Sequence, residues 1–532
     1  MFIVVLKRPK GFHLVLLLLL TVTVGAIWIW VWLNQPYLPP RIGLEGLSPA
    51  LVQQLFPGEQ LGEITLRSTR ELLTLLNGGK LDYIVEMNEP TPGLDSVLLD
   101  QLAPVIVVPF FDPTEHLELK ELEVLARSES ANVLVADTLA LPGFPWSDHE
   151  VTYYSSAEII RQLTEGSAKI GIIPFRDRSP AVRVVPLIDN PNLERSLYLS
   201  RRKPSWHEEL KKHYTGHKDL METVMPVADE EVRLLAVGDI MLDRDVKKVG
   251  LQKGWESIFA EVAPHLRQAD LAFANLESPI GDKGHFINMF QAPPEAVLGL
   301  AYAGFDVVSL ANNHTLDFHH AGMFETMRLL AEHSIDWVGA GGDIQQARTA
   351  LIKEVNGVRI GFLAYTEMWF VHAREPISWR ATDEEAGVAP AELEMMVEDI
   401  RKLRSACDCI VVSMHWGKEY DQHPTAEQKR LARGAVDAGA NLVLGHHPHV
   451  LQGIEFYKEG VIAYSLGNFV FDLNIANTWE SMILEFTLSS TGPKEMTITP
   501  AYIFGVQPRI LQGAHRNALY RQIRDLSLQI TQ

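Results

Sequence analysis

The second half of this chain contains a series of short apolar segments, each followed by polar residues able to bind a metal. The segments and the residues that follow them are 232–237 before Asp239, 271–274 before Asn275 and Glu277, 307–311 before Asn313 and His314, 410–414 before His415, 442–444 before His446, His447 and His449, and 461–465 before Asn468. Amphipathic stretches at 318–333, 391–405 and 425–438 separate several of them, a pattern typical of an α/β fold. Ligand sites of open α/β sheets lie beyond the carboxyl ends of the strands, so these polar residues are predicted to meet at one edge.

The donor types at these predicted strand ends indicate a particular class of metal. Carboxylate, amide and imidazole groups together suit Zn²⁺, Mn²⁺ or Fe better than Ca²⁺, which prefers oxygen ligands alone. We therefore expect a divalent metal, Mn, Zn or Fe, as one ion or two. Two ions bridged by a carboxylate would polarise a phosphoryl-like centre and supply a hydroxide at neutral pH.

Six sequence motifs carry a resemblance to a known family. They are GDIMLDR (238–244), NLESPI (275–280), SLANNHTLDF (309–318), HWGKEY (415–420), GHHPHVLQGIE (445–455) and YSLGNFVFD (464–472). In this order they resemble the motif series of the poly-gamma-glutamate capsule synthesis (CapA-type) family, over about residues 233–475. The resemblance implies the layered αββα fold of the calcineurin-like metallophosphatases and a role in making a capsule or cell-envelope polymer.

The same resemblance implies a set of site residues. The implied metal ligands, some of them alternatives for one position, are Asp239, Asn275, Glu277, Asn313, His415, His446, His447 and His449. Either Glu277 or Asn275 stands where the bridging carboxylate is expected, and either His446 or His447 precedes His449 in the closing pair. His314 is implied as a catalytic acid or transition-state stabiliser.

Two charged residues in the motifs, Arg244 and Glu419, each have two alternative roles. Arg244 either clamps an anionic group of the substrate or pairs with Glu277. Glu419 either orients His415 as an outer carboxylate or is a solvated loop charge.

One position departs from the metallophosphatase pattern. Met241 stands two residues after Asp239, where those enzymes have a histidine, and a thioether is not a ligand for a hard metal. One metal position is therefore a ligand short unless Glu277 or Asn275 supplies it. Two functions stay open: a metal-dependent hydrolase acting on an anionic polymer, and a non-catalytic metal- or polymer-binding assembly protein.

The N-terminus predicts a membrane anchor. Residues 14–33 form an apolar run long enough to cross about 30 Å of hydrocarbon, and Lys7, Arg8 and Lys10 precede it. The positive-inside rule then places a short tail in the cytoplasm and the bulk of the chain outside, as a single-pass protein of the cell membrane. A cleaved signal peptide is the competing interpretation. We assign residues 1–40 to the tail, the anchor and a proline-containing spacer.

Residues 41–225 predict a separate α/β domain. A helix, a glycine and an apolar strand follow one another at 68–85 and again at 155–175, while 102–111 is a nearly continuous apolar strand. The repeated unit resembles a two-lobed periplasmic solute-binding domain, which implies a small ligand between two lobes that each have a sheet. A generic α/β domain is the alternative. The metallophosphatase-like domain is assigned to 232–510, and a C-terminal helix to 511–532.

Charge and cysteine content limit the partners. The formal net charge of -20 disfavours a nucleic-acid partner, because the surface would repel phosphates. It leaves an anionic envelope polymer possible, since a bound metal inverts the local field. Capsule synthesis proteins are further expected partners. Cys407 and Cys409 are expected to be buried thiols rather than a disulfide.

Overall fold

The structure, a computed structural model, describes residues 230–368, 370–371 and 377–530. Before residue 230 it describes only separate segments between 42 and 201, of which 153–174 is the longest. The predicted membrane span at 14–33 lies outside the described residues. Within them, no helix has both the length and the apolar composition required to cross a bilayer.

Strands and helices follow the alternation expected of an α/β chain. The strands before residue 230 are β1 Ile42–Leu44, β2 Ile64–Leu66, β3 Tyr83–Met87, β4 Asp95–Leu102, β5 Pro104–Pro109, β6 Val133–Ala136, β7 Tyr153–Tyr154, β8 Ile170–Pro174, β9 Val182–Val185 and β10 Arg195–Arg201. Those after it are β11 Val232–Ile240, β12 Leu271–Leu276, β13 Val307–Ser309, β14 Asp336–Val338, β15 Ala340–Gly341, β16 Leu351–Val355, β17 Val358–Thr366, β18 Phe370–Val371, β19 Ile377–Ser378, β20 Gly387–Val388, β21 Cys409–His415, β22 Leu442–His446, β23 Ile454–Tyr457, β24 Gly460–Ala463, β25 Asn468–Val470, β26 Glu480–Ser489, β27 Gly492–Phe504 and β28 Gln507–Ile510. The helices are α1 Ser156–Thr164, α2 Arg244–Lys253, α3 Glu256–Phe259, α4 Ala263–Leu266, α5 Val297–Ala303, α6 His319–Glu332, α7 Ile344–Ala347, α8 Leu393–Arg404, α9 Ala426–Ala438 and α10 Gly513–Ile530, with a 3₁₀ turn at Pro294–Ala296.

Two large sheets organise the second half of the chain. The first has eight strands in the order β14-β13-β12-β11-β26-β27-β28, with β25 also paired to β11. The second has six strands in the order β16-β17-β21-β22-β24-β23. Strands β11 to β14 run parallel to one another, and so do β17, β21, β22 and β24. Their carboxyl ends therefore share one edge of each sheet, called here the carboxyl edge, and the opposite one is the amino edge.

The two sheets pack face to face between two layers of helices. Leu234 and Ala236 of β11 point into the core between the sheets, whereas Leu235 packs among the helices α2 to α6. In the second sheet Val411 points inward, while Val412 packs against α8 and α9. This alternation follows from the two-residue period of a strand. It produces the αββα order of layers that the family resemblance implied.

A glycine lets β11 approach its neighbour closely where the site begins. A Cβ atom at Gly238 would lie 2.0 Å from the carbonyl oxygen of Gly467, so no larger residue fits without moving the backbone. The next residue, Asp239, donates its backbone N–H to the same oxygen at 3.0 Å. The glycine of the first motif thus fixes the position of the aspartate that follows it.

The described segments of the N-terminal half form two sheets. One has the order β2-β1-β3-β10-β4 and the other β7-β6-β8-β5-β9, each with five strands. The chain passes from one to the other after β4 and returns between β9 and β10. The predicted strand at 102–111 is the shorter β5. Two sheets are what two lobes require, but the solute-binding resemblance and its ligand stay predictions.

The second N-terminal sheet docks at the amino edge of the C-terminal half. Phe110, 5% exposed, joins the core between the two large sheets and its ring lies 5.3 Å from that of Phe456. The buried guanidinium of Arg178 pairs with Glu231 at 2.6 Å and Glu495 at 3.2 Å. An apolar contact and a buried cation therefore hold this sheet away from the carboxyl edge.

Candidate metal centre

The predicted polar residues do meet at the carboxyl edge. Asp239 of β11 is in register with Asn275 of β12 and with Asn468 of β25. In the second sheet, the last residues of two strands, His415 and His446, lie side by side. All five residues are buried. The two sheets thus bring side chains from distant parts of the chain into one polar cluster enclosed by apolar layers.

Glu277 lies at the centre of this cluster. It is fully buried, and neither carboxylate oxygen has a hydrogen-bond partner among the described residues. Its Oε1 instead faces three imidazole Nε2 atoms, at 3.6 Å from His449, 3.9 Å from His314 and 4.0 Å from His415. A buried carboxylate without a donor is costly, and a cation bound between it and the imidazoles would offset that cost.

Asp239 forms a second anionic centre beside Glu277. One of its oxygens accepts a hydrogen bond from the side-chain amide of Asn275 at 2.8 Å, and the other accepts the backbone N–H of His447 at 3.1 Å. The Nδ1 atoms of His446 and His449 lie 3.3 and 3.5 Å from the carboxylate. Asn275 therefore orients Asp239, whereas Glu277 is the carboxylate with open oxygens, which favours Glu277 as the bridging group.

Outer partners turn two imidazoles toward Glu277. The Nδ1 of His449 lies 2.9 Å from Oδ1 of Asn468, and the Nδ1 of His314 lies 2.8 Å from Oδ2 of Asp317. In each case the oxygen accepts a hydrogen bond if Nδ1 carries the proton. That tautomer leaves a lone pair on each Nε2, the atom that faces Glu277, as in metal sites where a second residue fixes the ligand histidine.

His415 is held by two asparagines. Its Nε2 lies 2.7 Å from Oδ1 of Asn313, and its Nδ1 lies 3.4 Å from the side-chain nitrogen of Asn275. Both ring nitrogens thus have neighbours inside the cluster. The prediction that Glu419 orients His415 is wrong: Glu419 is an exposed residue of the following loop, and the orienting groups are amides.

The electrostatics of the two carboxylates differ. Burial alone would raise the pKa of Asp239, but the imidazoles of His446 and His449 outweigh it and hold that pKa well below its ordinary value. Burial raises the pKa of Glu277 well above its ordinary value, and the charge of Asp239 adds to the effect. Asp239 is therefore the carboxylate that ionises readily. Glu277 is the carboxylate whose ionised form a nearby cation would stabilise.

The imidazoles are suited to bind metal at neutral pH. Burial, reinforced by the like charge of His447, lowers the pKa of His415 well below its ordinary value. Burial and then His449 lower the pKa of His447 to about 3. Both rings are neutral at pH 7 and keep a lone pair for a cation.

The geometry of the cluster fits a divalent metal. Glu277, His447 and His449 each offer a ligand atom, and these atoms lie within 4.8 Å of one another. Both ring nitrogens of His446 and Nδ1 of His447 are buried without a hydrogen-bond partner in the part of the chain that the structure describes. The Nδ1 of His446 lies 3.3 Å from Asp239, and His447 offers a ligand atom near Glu277. Which of the two histidines binds metal stays a prediction.

Met241 lies outside this set of donors. It is fully buried in the core beneath the helices, and its sulfur accepts the backbone N–H of Asp243 at 3.0 Å. The position that holds a histidine in the metallophosphatase pattern is here part of the apolar core.

Arg244 lies at the mouth of the cluster and pairs differently from one of the predicted alternatives. Its guanidinium forms an ion pair with Asp472, and it lies 5.0 Å from the ring centre of Phe290 and 5.6 Å from that of Phe471. Pairing with Glu277 is therefore wrong. The side chain is 36% exposed, which leaves the predicted role of binding an anionic group open.

Several residues of the site were not predicted, among them Asp317, which orients His314, and Asp472, which pairs with Arg244. Asn468 was expected at this edge, and its contact with Nδ1 of His449 adds an orienting role. Asn312 donates to Oδ1 of Asn275 at 3.2 Å. Asp317 could have been found, because it lies three residues after His314 in one motif. The contact between Arg244 and Asp472 joins residues far apart in the sequence and left no local pattern.

The fold and the site together define a class of protein, a four-layered α/β domain with a histidine and carboxylate centre at one sheet edge. Residues 233–473 match the family described as "Bacterial capsule synthesis protein PGA_cap". "Capsule biosynthesis protein CapA" of Bacillus anthracis is 35% identical over 317 residues, covering 57% of this chain and 76% of that protein. "PGA biosynthesis protein CapA" of Bacillus subtilis is 36% identical over 291 residues, covering 54% and 75%. A "Probable polyglutamine synthesis accessory protein" of Mycobacterium tuberculosis is 29% identical, covering 52% and 73%.

The chain therefore belongs to the PGA_cap family of bacterial capsule synthesis proteins, and the resemblance drawn from its six motifs is confirmed. The matched residues contain every residue predicted to bind metal.

Proposed function

We propose that residues 232–510 form a metal-dependent, hydrolase-like domain that acts on an anionic polymer during capsule or poly-gamma-glutamate synthesis or export. The observation that carries the proposal is Glu277, a fully buried carboxylate whose oxygens have no hydrogen-bond partner in the described residues and face three imidazoles. A protein core rarely keeps such a group without a ligand to compensate it.

The residues around Glu277 supply the binding groups. Asp239, Asn313, His415, His447 and His449 would hold one or two divalent ions of Mn, Zn or Fe, with Asn275 and His446 beside them. When bound, such ions polarise the scissile group and lower the pKa of a bound water. His314, turned inward by Asp317, is placed to give or take a proton at its Nε2.

The polymer is inferred from the relatives, which are named for capsule, PGA or polyglutamine synthesis. The extracytoplasmic, membrane-anchored placement of the domain remains part of the proposal, as do contacts with other capsule synthesis proteins. External protease on intact protoplasts tests this topology: cleavage within the second half supports it, and full protection contradicts it.

A second candidate is a non-catalytic assembly protein that binds metal or polymer, with the N-terminal half as a ligand sensor. Met241 favours it, because the core occupies a position that supplies a metal ligand in the metallophosphatase pattern. The docking of the second N-terminal sheet through Phe110 and Arg178 would give such a sensor a physical connection to the metal domain.

One experiment separates the two candidates. The purified full chain, loaded with Mn²⁺ or stripped by a chelator, is incubated with poly-gamma-glutamate, and polymer length and new amino ends are measured. The proposal expects metal-dependent shortening or transfer, which is lost in His314→Ala with the metal retained. His333→Ala, at the end of α6, is the control variant. Binding without any change of the polymer favours the assembly protein, and neither binding nor change contradicts both.

A further inference from the structure

Resting on the proposed function, we infer that Tyr420 is a substrate-contacting residue that, together with Arg244, grips an acidic polymer at the mouth of the metal centre. The two side chains flank the ring pair of His449 and Phe471. The inference assigns the site to a chain of carboxylate-bearing units rather than to a neutral polymer.

Tyr420 lies beside His449, one of the residues proposed to hold the metal. Its ring centre is 6.1 Å from that of His449, whose Nε2 lies 3.6 Å from Glu277. The tyrosine is 40% exposed, and its phenol has the carboxylate of Glu419 as a neighbour. A polymer unit beside the one at Glu277 would meet this phenol, which can donate or accept a hydrogen bond.

Arg244 lies beside Phe471, the second ring of this pair. The ring of Phe471 packs 4.9 Å from that of His449, and the guanidinium of Arg244 lies 5.6 Å from Phe471. Phe290 continues this wall, with its ring 4.3 Å from that of His314. Aromatic walls with one cation and one phenol suit a flexible chain with regularly spaced carboxylates, because a guanidinium binds carboxylates in a fixed geometry.

The backbone holds Tyr420 in place against its own preference. Tyr420 has a φ of 65°, and its backbone N–H donates to the carbonyl oxygen of Pro448 at 2.8 Å. Bulky residues rarely adopt this left-handed conformation, and such strain concentrates at functional sites. Of the nine non-glycine residues with positive φ in the described part of the chain, four are Arg244, Tyr420, His447 and His449. The loop is therefore built to keep the tyrosine beside the closing histidines.

The test measures binding by the metal-loaded full chain of a fluorescent gamma-linked glutamate decamer, with a neutral gamma-linked glutamine decamer as the second probe. Tyr420→Phe removes only the hydroxyl and is expected to weaken binding of the glutamate decamer about tenfold, since a hydrogen bond to a charged group contributes about that factor. Tyr420→Ala also removes the ring and is expected to weaken it further. Metal content is expected to stay at the wild-type level in both variants. Tyr457→Phe, at the amino edge, is the matched control and should bind like the wild type.

Three outcomes would overturn the inference. If the wild type binds the glutamate decamer but both Tyr420 variants bind equally well, this inference fails while the proposed function stands. Equal affinity for the glutamine decamer contradicts the assignment to an acidic polymer. If the metal-loaded wild type binds neither decamer, the inference fails together with the proposed function.

Discussion

Buried charged groups are compensated differently at the amino edge and at the carboxyl edge of the two large sheets. At the amino edge Arg178 lies between Glu231 and Glu495, and each charge has a counterpart of opposite sign. At the carboxyl edge Glu277 and Asp239 lie in the same cluster, and the oxygens of Glu277 find no donor among the described residues. Each edge has a buried charged group at its centre, but Arg178 has two carboxylates within ion-pair distance, whereas no described residue donates a hydrogen bond to Glu277.

The difference shows how a structural contact can be told from a site. A buried ion pair that joins two parts of a chain has no need of a ligand. A cluster of two carboxylates and neutral imidazoles is unfavourable until a cation enters it. Buried polar groups without partners, rather than polarity itself, therefore mark the functional edge.

The largest effect is expected at the amino edge. Phe110→Ala should destabilise the protein by about 3–5 kcal/mol, because it leaves a cavity where the second N-terminal sheet meets the core. Hydrogen exchange and thermal unfolding measure the loss, and the metal content should stay unchanged. Phe504→Ala, at the exposed end of β27, is the control and should cost far less. Loss of metal in the Phe110 variant would contradict the independence of the two edges.

At the carboxyl edge, His449→Ala should lower metal affinity about a hundredfold or more while the fold is retained, since the ring faces both Glu277 and Asp239. That factor corresponds to about 2.7 kcal/mol. Titration of the metal-free protein with Mn²⁺ or Zn²⁺ measures it. His423→Ala alters an exposed histidine of a nearby loop and should bind like the wild type. Unchanged affinity in the His449 variant would remove that residue from the site.

The carboxyl edge should also be sensitive to acid when it holds no metal. The pKa of His447 is about 3 in the folded protein, against an ordinary value of 6.5. Below pH 6.5 His447 is protonated in the unfolded chain but stays neutral in the folded one. The free energy of unfolding therefore falls as the pH falls. From pH 7.5 to 5 this one group should cost about 2 kcal/mol.

His447→Gln should remove that part of the pH dependence, as measured by urea unfolding of metal-free protein at several pH values. Equal pH slopes in the two proteins would show that His447 is not held neutral by burial. The Arg178 contacts at the amino edge provide the comparison, because a guanidinium does not titrate in this range.

The smallest effect is expected from an outer residue. Asn468→Ala removes the oxygen that fixes the tautomer of His449 and should weaken metal binding about tenfold, or about 1.4 kcal/mol. The same titration measures it. An effect as large as that of His449→Ala would instead make Asn468 a direct ligand.

Strand ends were predictable from the sequence because each apolar run stops at a polar residue. This rule placed Asp239, His415 and His446 at one edge, and the helices at 318–333 and 425–438 agree with α6 and α9 within a residue. Motif order also led to the correct family. What local patterns cannot encode are contacts between distant segments, such as Arg244 with Asp472.

The direction in which a side chain points could not be predicted from the sequence either. Glu419 was a reasonable partner for His415 by spacing, but the ring turns toward Asn275 and Asn313 of the other sheet. The docking of Phe110 between the sheets could not be predicted either. An apolar residue at a strand end indicates burial, but not which part of the protein it packs against.

The metal content of the purified full chain and of two glutamate variants shows whether Glu277 holds a metal. Glu277→Gln should lose the metal, and its melting temperature should fall to about that of the chelator-stripped wild type, because the metal no longer stabilises the folded state. Glu455→Gln alters an equally buried carboxylate that is paired with Arg433 and Tyr464, so it should lower the melting temperature and keep the metal. We expect at least one equivalent of Mn, Zn or Fe in the wild type by elemental analysis. A wild type without stoichiometric metal under every reconstitution, or equal metal in the Glu277 variant, would contradict it.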